Sequence, residues 1–161
     1  MPIKHQDNQT VEPDRVIIRE IKPGEVDEIL PISSPSPLNP WSKRMLLEEM
    51  TNPISHSFLI ERVEKIEDIS ILGFICFRNV GEESELLNIV IRPQYRQRGF
   101  GTKLMGFYID FCSSRGINRY YLEVSTSNIE AIHLYQCFAF RPMGTRKRFY
   151  QGQFDALLMV R

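Results

Sequence analysis

Excess charge of either sign is missing from this sequence: 20 Lys and Arg balance 20 Asp and Glu over 161 residues. Without such an excess, no global field draws the chain to a nucleic-acid duplex or an anionic membrane. Long hydrophobic runs are missing too. No apolar stretch approaches the ~18–20 residues that span a bilayer, and no apolar leader segment follows the N-terminal Met. Cysteine is scarce: Cys76, Cys112 and Cys137 are odd in number, far apart and outside any Cys-x-x-Cys spacing. That pattern supplies neither a disulfide framework nor a zinc ligand set, and it fits free thiols in a reducing compartment. The expectation is a cytoplasmic protein with no metal, no membrane contact and no nucleic-acid partner. Internal repeats and low-complexity tracts are absent as well.

What is present is ordinary for a globular chain, with 42% hydrophobic and 25% charged residues, enough for one self-sufficient core. Residues 1–14 are polar and broken by Pro2 and Pro13, and are expected to form a flexible tail ahead of a single domain over 15–161. Val16-Ile17-Ile18 begins a strand. Pro23-Gly24 turns into a short helix with Val26, Ile29 and Leu30 on one face. Residues 33–40 read as a loop. Asn39 is the expected N-cap of a helix running to about Met50, with Pro40 at its first position. Phe58–Ile60 and Ile71–Phe77 read as strands joined by a charged turn around residues 64–68. A helix over 99–115 stopped by Gly116, a strand over 119–125, a helix over 128–138 and two closing strands complete the order. The predicted class is α/β (α+β): a mixed, mostly antiparallel central sheet with helices on both faces.

The stretch from Leu87 to Leu104 is the most informative. The β-branched run Ile89-Val90-Ile91 reads as a buried strand ended by Pro93. A basic turn then leads to Gly99 and Gly101, and a helical period starts at Phe100. A helix N-terminus offers unpaired amides and the positive end of the helix dipole, which suit a phosphate-bearing ligand. Glycines at 99 and 101 remove Cβ atoms from that approach, while Arg96, Arg98 and Lys103 add positive charge. An ordinary βα connection with a solvated basic loop is the competing reading. A P-loop is excluded by spacing. A dinucleotide fingerprint needs a third glycine where Leu104 stands, although Glu123 lies about where a ribose-binding acid would.

Further along, alternation in the strand 119–125 puts Tyr120, Leu122 and Val124 on one face and Tyr121, Glu123 and Ser125 on the other. Glu123 is thus a carboxylate in the middle of a strand, either solvent-facing or functional. Ser127 and Glu130 have capping-box spacing, predicting a helix that begins at Asn128. Asn128 and Tyr135, two turns apart, share a face with Ala131 and Ile132. Tyr135 is either core packing or an acid. His133 and Cys137 stand at i, i+4, weak grounds for a nucleophile pair.

Arg96-x-x-Gly99-x-Gly101 resembles the acetyl-CoA pyrophosphate motif of the GCN5-related N-acetyltransferase (GNAT) superfamily. Asn39–Ser42, Asn88–Val90, Tyr121–Ser125, Ser127–Tyr135 and Arg146–Tyr150 follow the pattern of its ribosomal-protein-alanine N-terminal acetyltransferases (RimI-like), in order, from about residue 15 to the end. The resemblance implies the GNAT fold and acetyl-CoA as cosubstrate. It implies that backbone groups of Ile89, Val90 and Ile91 hold the pantetheine arm and polarise the thioester. Arg96, Gln97, Arg98, Gly99, Phe100, Gly101 and Thr102 would bind the pyrophosphate, with Asn128 as a further cofactor contact. Glu123 corresponds to the general base, Tyr135 to the acid that protonates the CoA thiolate, and Tyr150 to an acceptor contact.

The implied acceptor is a protein N-terminal α-amine, such as that of a ribosomal protein. A small amine, a lysine side chain, or a CoA-binding role without turnover remain alternatives, and oligomeric state is not read from the sequence. Two departures from the pattern stand out. Ala139 occupies the place of a helix-ending glycine. Phe149 replaces the first residue of a Tyr-Tyr pair ahead of a short hairpin, Gln151-Gly152-Gln153.

Overall fold

A computed structural model describes residues 15–33, 41–65 and 68–161. Strand β1 (Arg15–Glu20) leads through a 3-10 turn (Pro23–Glu25) into α1 (Val26–Ser33). Helix α2 (Lys43–Thr51), β2 (Ser55–Lys65), β3 (Asp68–Val80) and β4 (Glu83–Ile91) come next. Helix α3 (Phe100–Ser113), β5 (Arg119–Ser125), α4 (Ile129–Cys137), β6 (Arg141–Tyr150) and β7 (Phe154–Val160) close the order. The strands form one sheet, β1-β2-β3-β4-β5-β7-β6, antiparallel except where β4 runs parallel to β5. No helix among the described residues is long and apolar enough to cross a membrane. The expected N-terminal tail and the 34–40 loop lie outside the described residues.

β3 carries the middle of the sheet. Residues 71–77 are buried throughout, because side chains on both faces meet a helical layer. Leu72, Ile75 and Phe77 turn to the α3 side with Leu104, Met105 and Tyr108. Ile71, Phe74 and Cys76 turn to the other, with Ile29, Trp41 and Leu46 from the α1–α2 side. On the α3 side Phe58, Phe77, Phe107 and Phe111 meet largely edge to face, with centroids 4.7–5.7 Å apart in the tilted pairs. The buried stripe of α3 is Leu104, Met105, Tyr108, Ile109 and Cys112. Of the helical period expected at Phe100, Leu104, Phe107 and Phe111, Leu104 is fully buried, while the three phenylalanines lie at the half-buried margin of the stripe.

Several expected boundaries move. Helix α2 starts at Lys43, capped by Ser42 Oγ, which accepts the Met45 amide at 3.2 Å; Asn39 and Pro40 lie outside the described residues. The predicted capping box at Ser127 and Glu130 does not form. Asn128 is itself the N-cap of α4, its Oδ1 accepting the Ala131 amide at 3.2 Å. Ser127 Oγ instead pairs with Ser125 Oγ at 2.8 Å. A side chain that sequence reading passed over ties β1 to β2. Buried Glu61 accepts from Arg19 Nε and Nη2, both at 3.0 Å, and the same guanidinium grips Glu25.

At Gly73 β4 leaves no room for a side chain: a Cβ there would clash with the Val90 carbonyl oxygen. Gly73→Ala should therefore displace β4 and destabilise the protein by about 1–3 kcal/mol, measured by urea denaturation. Ala139 takes φ +62°, the left-handed conformation its sequence position suggested. Ala139→Gly should relieve that strain and stabilise by about 1 kcal/mol, raising Tm by roughly 2–4 °C.

Candidate active site

The parallel pairing of β4 and β5 is short. Glu83, Ser84, Glu85 and Leu86 pair with Arg119, Tyr120, Tyr121 and Leu122, and there the ladder stops, although both strands continue. Against β3, Cys76 faces Asn88 while Phe77 faces Leu86, so Leu87 is the extra residue of a bulge. A bulge bends its strand, and here it coincides with the point where β4 leaves β5. A cleft of about 730 Å³ opens in the gap.

One wall is the free edge of β4. The Arg92 amide donates to Leu72 O at 2.8 Å. Antiparallel alternation therefore aims the backbone groups of Val90 at β3 and those of Ile89 and Ile91 at the cleft. Of the three residues expected to offer backbone groups, Val90 offers none, and Ile91 O is already taken by Arg96 Nε at 3.1 Å. At the far end, a 3-10 turn (Pro93–Tyr95) feeds the start of α3. Gln97 and Gly99 have φ +57° and +82°, and the first α-helical bond is Lys103 N–H to Gly99 O. The amides of Phe100, Gly101 and Thr102 precede it and have no helical partner. Gly99 is required by its backbone conformation. At Gly101 a Cβ would meet Leu134 Cδ2 of α4 at an ordinary contact distance of 3.4 Å, so packing alone does not demand glycine there.

The opposite wall comes from β5 and α4. Glu123, Ser125, Asn128, Ala131, Leu134 and Tyr135 line the cleft, and Tyr150 joins them from the end of β6. Glu123 Oε1 accepts from Arg146 Nη1 at 2.8 Å. Burial pushes the phenol of Tyr135 well above its ordinary range, and neighbouring Tyr150 adds to the shift. Tyr150 is raised first by burial and then by the negative charge of Glu123. Both phenols therefore hold their protons at neutral pH.

Of the residues expected from the sequence, Ile89, Val90, Ile91, Arg96, Gln97, Gly99, Gly101, Thr102, Glu123, Asn128, Tyr135 and Tyr150 line this cleft. Arg98 and Phe100 do not. The Arg98 guanidinium lies 5.9 Å from the Tyr95 ring centroid, and Phe100 packs its side chain against the α3 core. Ile132, grouped with Tyr135 by helical spacing, turns to the core, and Leu134 takes its place in the cleft. The Asn128 Oδ1 is committed to its helix cap. His133 and Cys137 are exposed and outside the cleft. Burial pushes the Cys76 thiol up to about 12 and raises that of Cys112. Among the described residues no three His, Cys, Asp or Glu side chains group as metal ligands. Sequence reading missed Tyr95, Ser127 and above all Arg146 as a partner of Glu123; no local spacing signals a contact made across another strand.

A profile of the acetyltransferase (GNAT) family matches residues 26–140. The chain belongs to the GNAT acetyltransferase family. It is 30% identical over 148 residues to the putative ribosomal protein bS18-alanine N-acetyltransferase of Bacillus subtilis, covering 90% of this chain and 94% of the relative. Identity to the bS18-alanine N-acetyltransferase of Haemophilus influenzae is 31% over 148 residues, 89% of this chain and 97% of that one. The crystal structure of the ribosomal-protein-S18-alanine N-acetyltransferase from Escherichia coli superposes with a TM-score of 0.79 at 25% identity, over 91% and 92% of the two chains.

This acetyltransferase is thus an acetyl-CoA-dependent enzyme, and its cleft fits that cosubstrate. A free strand edge can receive the amide groups of a pantetheine arm, and the α3 amides can receive the pyrophosphate. Gly99→Glu would add a negative charge and a strained side chain at that turn. Acetyl-CoA affinity measured by calorimetric titration should be largely lost, while Gly99→Asn, which tolerates positive φ and adds no charge, should lose less.

Proposed function

We propose that this enzyme transfers the acetyl group of acetyl-CoA to the α-amine of a protein N-terminus, of the ribosomal-protein-alanine type, by direct attack. The observation that carries this reading is the cleft's two-sidedness: Glu123 and Tyr135 face it from β5 and α4, opposite the backbone groups of Ile89 and Ile91 on β4. The names of the Bacillus and Haemophilus relatives support the same acceptor class.

Acetyl-CoA supplies the acetyl thioester; the protein's own groups do the rest. The Ile89 and Ile91 amides would hold the pantetheine arm and polarise the thioester carbonyl as its oxygen gains charge. Glu123, directly or through a water, takes the proton that the acceptor nitrogen sheds as it bonds to the acetyl carbon. Tyr135 gives its hydroxyl proton to the sulfur as the C–S bond breaks, and the raised phenol keeps that proton in place until then. Tyr150, beside Glu123, is positioned for the acceptor. An α-amine, with pKa about 7.7–8, has a sizeable neutral fraction at physiological pH, so a carboxylate suffices as base.

Glu123→Gln keeps the side chain's size but removes the basic oxygen, and should lower turnover on an N-terminal alanine peptide by ~10²–10⁴-fold with acetyl-CoA affinity nearly unchanged. Tyr135→Phe should also reduce turnover, and the two losses need not add because they serve one proton-transfer sequence. Parental rates in both variants would remove these roles. The pH profile supplies a further check. An acid works only while protonated, and Tyr135 is pushed upward, so activity should show no alkaline decline below about pH 10. A falling limb between about pH 8 and 10 would contradict a buried tyrosine as the acid.

A further inference from the structure

Glu123 does not face the cleft alone. Its Oε1 is held at 2.8 Å by Arg146 Nη1, which reaches it from β6, two strands away. The register explains how. Ser125, Ala156 and Arg146 lie in one row across β5, β7 and β6, and Glu123 lies in the next row with Leu158 and Gly144. Residues opposite one another share a sheet face, so the Arg146 side chain crosses β7 above a single methyl, that of Ala156. In Glu123's own row the β6 residue is Gly144, which offers no side chain. The hairpin backbone that presents Arg146 is tied down beyond it: Asp155 accepts the Arg148 amide at 2.8 Å and Lys147 Nζ at 2.9 Å.

Arg146 also has a second partner. Its guanidinium carbon lies 4.8 Å from the centroid of Phe149, an aromatic face without a hydroxyl. The ion pair is open to water, with side-chain exposures of 55% for Arg146 and 29% for Glu123. Pairs so exposed contribute little and yield readily, whereas a cation over an aromatic ring keeps its attraction.

We infer that Arg146 is a stand-in for the acceptor's ammonium: it occupies the Glu123 carboxylate until an acceptor arrives, and the amine then displaces it from Glu123 while Phe149 keeps hold of it. The inference rests on Glu123 facing the acceptor as proposed above. An α-ammonium brings the same charge and the same N–H donors as the guanidinium edge it replaces, so the carboxylate is never left unpaired. Both cations cannot hold the same oxygen, and their mutual repulsion drives the exchange to one or the other. Arg146 thereby sets acceptor affinity through Glu123, as a positioning residue outside the chemistry itself.

The test is calorimetric titration of an N-terminal alanine peptide into the CoA-saturated protein. Arg146→Gln removes the competing cation and should tighten binding by about two- to five-fold, the range of an exposed ion pair. Arg146→Lys should stay near the parental affinity. With Glu123→Gln already present there is nothing to compete for, and Arg146→Gln should then change nothing, which a purely structural role for Arg146 would not require. The same peptide acetylated at its N-terminus carries no ammonium and should gain nothing from Arg146→Gln. Unchanged or weaker binding of the free-amine peptide by Arg146→Gln, or an equal gain with the acetylated one, overturns the stand-in role. Turnover of Glu123→Gln reports on the base separately: if it falls while Arg146→Gln leaves affinity unmoved, only the stand-in role is lost. A parent that binds no peptide overturns the acceptor reading and this inference together.

Discussion

The parting of β4 from β5 is the constraint on which the rest of this structure depends. Two parallel strands that stayed paired would leave no cleft, no free backbone edge and no place for Glu123 to face. Pairing ends at Leu86 and Leu122, and the Leu87 bulge bends β4 away just there. The core must support the split. Residues 71–77 of β3 stay buried on both sides of it, and Gly73 lets the two backbones close up beside Val90. Separated strands expose polar backbone groups that need partners. An acetyl-CoA pantetheine arm, itself built of amides, is a ligand with the chemistry to supply them.

Charge is distributed around the cleft by the same geometry. At one end, three helix amides and a pair of positive-φ residues make a concave donor surface. Elsewhere the cleft holds a buried phenol and a carboxylate paired with an exposed guanidinium. The net charge of the chain is zero, so these local fields act without a competing global one. One cleft thus combines unpaired backbone donors with ionisable side chains held in different degrees of burial.

Strain collects near this site. Gln97 in the turn before α3, Ala139 after α4, and Arg148 and Gln151 in the last hairpin all adopt positive φ without being glycine. Each conformation costs on the order of 1–2 kcal/mol. At Arg148 part of that cost is offset by Asp155, which accepts its amide. The β6–β7 hairpin carries Arg146, Phe149 and Tyr150, so its backbone geometry decides what stands next to Glu123.

The sequence by itself determined the order of elements, the mixed sheet with helices on both faces, and the glycine turn that opens α3. It did so because these depend on local physics: period-2 and helical patterns, proline and glycine punctuation, and the amides at a helix start. The alternation of β5 placed Glu123 opposite its buried neighbours, and Ala139 was legible as a strained helix end. Local reading was less successful where several residues could satisfy the same group. Asn128 won the cap of α4 over Ser127, and Ser42 capped α2 where Asn39 was expected. Tertiary structure alone decided which strand edge stays open, since the Leu87 bulge exists only relative to β3. It also decided that Val90 turns its backbone away while Ile89 and Ile91 face the cleft, and that Phe100 packs inward. The contact between Arg146 and Glu123 joins residues 23 apart in sequence across an intervening strand. Such a contact follows from the register of three strands together, and no pattern within one of them encodes it.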